Sequence, residues 1–242
     1  MWRFLYIITL IVMLDIWASS CLYFVRAKSH KVFQKTWLIN LLFSLLAFAC
    51  HIIHLVLLYF DVGFDDWNFQ NAMPYANVSP LLFTITPIFL ILPKEVKKYC
   101  LNLISLLSIG MLLSPVVSVI HNIVINYKFH ASFLLDYFPH ILLSIWGVYI
   151  IQSKQIELKI KPSLISGSII VIVAVVMLIL NVILDKSFFG LSLNGKHSIY
   201  NQKIVSNSYL SAALYFMGLI ALLVAGYLFQ KSLNYLKKKH SL

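Results

Sequence analysis

The sequence predicts an all-α, polytopic membrane protein: a bundle of about seven transmembrane helices, N-terminus outside and C-terminus cytoplasmic. Three observations predict it. The 242 residues are 61% hydrophobic and only 11% charged, whereas a soluble domain carries about 25% charged residues. Apolar runs near the roughly 20 residues that cross a hydrocarbon core recur along the whole chain. Basic residues cluster between those runs, and the clusters alternate in strength.

The expected spans are 4–25, 37–60, 77–93, 99–126, 131–152, 163–184 and 208–230. With short loops they fill residues 1–242 as a single membrane domain. The first run, Phe4 to Val25, is too long for a signal-peptide core and no small-residue cleavage pattern follows it, so it reads as a retained helix. The third is short and holds Pro80 and Pro87. Proline in a membrane helix needs neighbours to satisfy the freed carbonyls, which places this helix inside the bundle. Pro115 and Pro139 mark further kinks in the fourth and fifth spans.

Orientation follows from lysine and arginine. Fourteen of the nineteen basic residues fall in one set of segments: Arg26 to Lys35, Lys94 to Lys98, Lys154 to Lys161, and Lys231 to Lys239. Five, namely Arg3, Lys128, Lys186, Lys196 and Lys203, fall on the other side. The richer side is expected to be cytoplasmic. The net charge of +11 is then a topology signal and not a nucleic-acid footprint, so no nucleic-acid partner is expected. Abundant isoleucine, lysine and asparagine point to an AT-rich bacterial gene and hence to a bacterial cell (plasma) membrane.

Polar groups inside a membrane are costly and each needs an account. On this topology His51 and His54 share a face in the outer half of the second helix. His121 and Asn122 end the fourth. Asp136 and His140 stack four apart near the start of the fifth, below His130. Asn181 lies near the outer end of the sixth, and His197 lies in the external loop after it. The pattern suggests an outward-facing polar cavity built from helices two, four, five and six. Asp136 and His140 could form a carboxylate–imidazole pair that serves as base, proton relay or ligand set. The plainer alternative is a hydrogen bond between neighbouring helices. Asp15, alone in the middle of the first helix, is expected to have a partner.

The chain has no HExxH spacing, no Walker loop, no GxSxG elbow and no Rossmann glycine pattern. No metal site and no cofactor are expected, although His51, His54, Asp136 and His140 are the residues a zinc ion would use. Cys21, Cys50 and Cys100 sit in or beside apolar runs as packing residues. Two long loops, 61–76 and 185–207, are expected outside.

Three stretches together resemble the YwaF family of small bacterial integral membrane proteins. They are Met73-Pro74-Tyr75-Ala76-Asn77-Val78-Ser79-Pro80, then Leu135-Asp136-Tyr137-Phe138-Pro139-His140, and the loop from Phe189 to Leu210. His140 corresponds to the histidine that opens the family's fifth helix. Where the family pattern has histidine and cysteine, this chain has Ala76 and Val78. Related eukaryotic members are acyltransferases with a cysteine nucleophile and a histidine. The resemblance thus implies the architecture and an outward pocket, with that nucleophile missing.

Three functions remain open on these grounds. One is a protein that binds a membrane lipid or small-molecule ligand in the outer cavity. The second is a proton-coupled transporter that uses Asp136 and His140. The third is an acyltransferase-like enzyme that modifies membrane lipids.

Overall fold

The computed structural model describes residues 1–27, 35–63, 70, 72–125, 132–184, 191 and 208–240. Among these residues the regular structure is entirely helical. The helices are α1 (Trp2–Arg26), α2 (Thr36–Val62), α3 (Val78–Ile91), α4 (Lys94–Val124), α5 (Ser132–Gln152), α6 (Ile160–Leu184) and α7 (Ser208–His240). Six are long and apolar enough to cross a membrane. The exception is α3: its 14 residues span roughly 21 Å at 1.5 Å per residue, short of the roughly 30 Å hydrocarbon core.

The element boundaries follow the expected spans within three residues, except that α4 begins at Lys94, five residues before the expected 99, and α7 ends later. α7 continues through Lys231 and Lys237 to His240, ten residues beyond the apolar stretch. Lysine is a good helix former, so leaving the apolar zone does not end the helix. Its Lys237 Nζ donates to the carbonyl of Gln152 at 2.9 Å, one of the orphan carbonyls at the end of α5.

α5 is the axis of the bundle. Of its span, 78% is buried, against 22% for α1 and α6 and 17% for α7. It packs against α4, α2, α1 and α7. Its run Ile141 to Ile151 is apolar on every side apart from Ser144, and a helix apolar all round belongs inside. The outer helices instead turn aliphatic side chains and methionine outward, among them Ile11, Ile53, Val117, Ile172 and Met217. That inside-out pattern suits lipid and not water.

Two glycines set the closest approaches. A Cβ on Gly226 of α7 would lie 1.7 Å from the carbonyl oxygen of Leu106 in α4. One on Gly147 of α5 would lie 2.7 Å from Ser108 Cβ. Small residues let membrane helices meet backbone to backbone. Beside these contacts Gln230 Nε2 donates to Ser108 Oγ at 2.9 Å, and Ser105 Oγ donates to the Gly147 carbonyl at 3.1 Å.

The end of α5 that carries Gln152 is held by polar side chains. The Trp146 indole N–H donates to Asn40 Oδ1 at 2.8 Å. The amide of Asn40 in turn bonds Gln155. Gln155 is aimed by the helix cap: Lys154 takes a left-handed φ of 59°. Its N–H bonds the Ile151 carbonyl, and the Gln155 N–H reaches Ile150. This is the paired bonding of a Schellman motif. Beyond it, Lys159 pairs with Glu157 on the surface and holds that carboxyl below its usual range.

Candidate functional site

The polar site is built on four helices. α2 supplies His51 and His54, three residues apart on one face and both buried. α3 supplies Phe83, 1% exposed. α5 supplies His140, buried one turn after Asp136, and α4 supplies Ser114. Phe83 lies between two imidazoles. Its ring centroid is 5.4 Å from that of His51 and 4.8 Å from that of His140, the latter contact edge-on. Through Phe83 the two imidazoles, one from α2 and one from α5, are brought to the same place in the bundle.

His140 has defined partners. Its Nδ1 lies 2.8 Å from the backbone carbonyl oxygen of Asp136. A carbonyl only accepts, so Nδ1 carries the proton, and in the neutral ring Nε2 is left with a lone pair. Ser114 Oγ stands 3.3 Å from that Nε2 as its donor. The carboxylate–imidazole pair expected of Asp136 and His140 is therefore corrected. Residues four apart on a helix bring the imidazole over the preceding turn's carbonyl, and the backbone takes the bond instead of the side chain.

A second polar step lies one turn toward the end of α4. Asn122 Nδ2 donates to Tyr137 Oη at 3.1 Å, and Ser118 Oγ lies 3.3 Å from the same oxygen. Ser114, Ser118 and Asn122 thus form a polar seam on α4 facing Tyr137 and His140 of α5. His121 points away and is exposed. Asn181 is buried, with its amide bonded to the Leu191 carbonyl. α6 packs principally on α4 and α7, with no comparable packing on α2 or α5. The fourth wall of the site is therefore α3, where α6 was expected. His197, His130 and His30 lie outside the described residues, as do 64–69 and 192–207 of the long loops.

His51 differs from His140. It is 2% exposed, and its Nε2 has no hydrogen-bond partner among the described residues. A buried ring nitrogen left unmade costs about 1–3 kcal/mol. Among the described residues no three histidine, cysteine, aspartate or glutamate side chains come together as a metal-holding group. Cys21 and Cys100 are buried and Cys50 is half-buried, all as free thiols.

Sequence reasoning missed Phe83, Ser114, Ser118 and Tyr137. Phenylalanine and serine inside apolar helices carry no local signal. The signal that could have found the serines is the four-residue spacing of Ser114, Ser118 and Asn122, which puts them on one helix face.

Compared with protein-family models, with curated proteins and with solved structures, the chain matches none.

Proposed function

We propose that this chain is a multi-pass protein of the bacterial cell membrane, YwaF-like in architecture, that binds a membrane lipid or small amphipathic ligand through His51, Phe83 and His140. The observation that carries this reading is the unpartnered His51 Nε2, buried beside an aromatic ring and a second imidazole. Apolar walls with a few convergent polar groups are the usual make-up of a ligand site. A phosphate, hydroxyl or amide group of a ligand would complete the bond that the protein leaves unmade. In the seven-crossing topology α3 also crosses, and the site opens to the outer face. The alternation of basic clusters supports that topology.

The test is mass spectrometry of molecules that co-purify with the protein in mild detergent. Wild type is compared with a His51→Leu/His140→Gln double variant. A lipid or small molecule retained by wild type and lost from the variant supports the reading. Equal retention, or none by either, removes it.

One observation favours a second reading. Ser114 is exposed, and its hydroxyl faces the unprotonated Nε2 of His140. A hydroxyl and an oriented base at hydrogen-bond reach are the parts of an acyl-transfer site. A fluorophosphonate probe that labels wild type and not Ser114→Ala would support it. Absence of labelling of the wild-type protein in its native membrane would count against it.

A further inference from the structure

Asp15 of α1 is the one acidic side chain between Arg3 and Arg26, and it stands midway, about 17 Å along the helix from each at 1.5 Å per residue. The inward face of α1 is well defined. Tyr6 and Met13 are buried, Trp17 stacks on Phe229 at 5.8 Å and donates to Ser144 Oγ at 2.8 Å, and Phe24 packs on Tyr149. Residue 15 lies about 160° around the helix from Met13 and Trp17 at 3.6 residues per turn. It is exposed accordingly, within an outward stripe of Ile8, Ile11, Val12, Ser19 and Leu22. No described residue bonds it.

A carboxylate at mid-depth facing hydrocarbon is among the costliest placements for a side chain. Its length is too short to reach either interface from there. Among the described residues no basic side chain stands at that depth, because they lie at helix ends: Lys94, Lys97 and Lys98 open α4, Lys161 opens α6, and Lys231 to Lys239 close α7. A second copy would therefore bring only another carboxylate to the stripe. Charge complementarity singles out a different occupant.

We propose that the outward face of α1 centred on Asp15 docks a transmembrane helix of another membrane protein that carries a lysine or arginine at the middle of its span. The two charges neutralise each other, and Ile8, Ile11, Val12 and Leu22 supply the apolar packing around them. Ser19, one turn from Asp15, adds a hydroxyl to the same face. This interface is separate from the histidine site on α2 and α5.

The experiment places a photo-crosslinking amino acid at Ile11 or Ser19 in the full chain, expressed in the membranes of the cell that makes it. Adducts are identified by mass spectrometry. The expected result is an adduct with a membrane protein whose span holds a central lysine or arginine. Its yield should fall about tenfold or more in Asp15→Leu. It should return when Asp15→Lys is combined with the reversed charge on the partner. Because Asp15 is exposed and no described residue bonds it, the Asp15→Leu chain should keep its thermal midpoint, which separates loss of docking from loss of fold. Adducts with lipid alone, an adduct of two copies of this chain, a partner without a central basic residue, or a yield indifferent to Asp15→Leu would each overturn the proposal.

Discussion

The imidazole of His140 is tied to the backbone of Asp136 and not to its carboxylate, with Nδ1 donating to the carbonyl oxygen at 2.8 Å. The bond survives any change of the Asp136 side chain that keeps the helix. We expect Asp136→Asn to shift stability by no more than about 0.5 kcal/mol, the range of substitutions away from buried networks. It should also leave any co-purifying ligand in place. His140→Ala should cost about 1–3 kcal/mol, because Ser114 loses its acceptor and a buried volume opens. Thermal unfolding in detergent, read together with ligand retention, checks both. Loss of ligand in Asp136→Asn would show that the carboxylate itself is used.

Much of this was legible in the sequence, for reasons that differ by residue. Long apolar runs are a one-dimensional signal, so five of the seven helices could be placed within three residues at both ends, while α4 starts five residues earlier and α7 ends ten residues later than the apolar runs themselves. α3 was harder: an apolar run containing Pro80 and Pro87 gives its existence but not whether it is long enough to cross. Histidines among apolar residues stand out, so His51, His54 and His140 were found. Which element faces them was not readable, since that depends on how the helices pack. Phe83 looks like any core phenylalanine until α3 is laid against α2. Asn181 had the right residue type at the right depth but belongs to a helix on another side of the bundle. Asp15 could be recognised as costly, whereas its outward direction required the packing of Met13 and Trp17.

The two α7 glycines form a matched pair for a packing test. Gly226 meets the Leu106 carbonyl so closely that a Cβ cannot fit, while Gly218 has nothing within 4 Å. Gly226→Ala must push α7 away from α4 and break the Gln230 to Ser108 bond nearby. A loss of about 3 kcal/mol or more is expected, at the upper end of overpacking costs. Gly218→Ala should be neutral or stabilise by up to about 1 kcal/mol through helix propensity. Thermal midpoints of the two purified variants, compared with wild type, decide this. Equal behaviour would mean that α7 does not seat on α4 through Gly226.

Asn40 joins two partners through one side chain. It accepts from Trp146 at 2.8 Å and pairs with Gln155 beyond the end of α5. Asn40→Leu leaves the buried indole N–H unpaired, at a cost of about 1–3 kcal/mol. Trp146→Phe removes that donor, so the Asn40→Leu/Trp146→Phe double variant should lose less than the sum of the single variants. Urea or thermal unfolding across the four-member cycle measures the coupling. Strict additivity would show that the bond contributes nothing in the membrane protein.

The short helix α3 decides the topology. If it crosses, Tyr75 before it and Glu95 after it face opposite sides, and the chain's two ends do too. If it only dips into the bilayer, both residues face the same side and the alternation of basic clusters loses its meaning. Both positions are exposed, and the native thiols give little background because Cys21 and Cys100 are buried and Cys50 lies within α2. We expect Tyr75→Cys to react with a membrane-impermeant maleimide on intact cells. Glu95→Cys, beside Lys94, Lys97 and Lys98, should react only after the cells are opened. An α3 of 14 residues can cross only if the bilayer thins locally or its flanks, Asn77 and Leu92-Pro93, enter the core with it. Labelling of both cysteines from the outside would make α3 a re-entrant helix. It would also put the α1 and α7 termini on one side and require the histidine site to be reached from within the bundle instead of from an outer mouth.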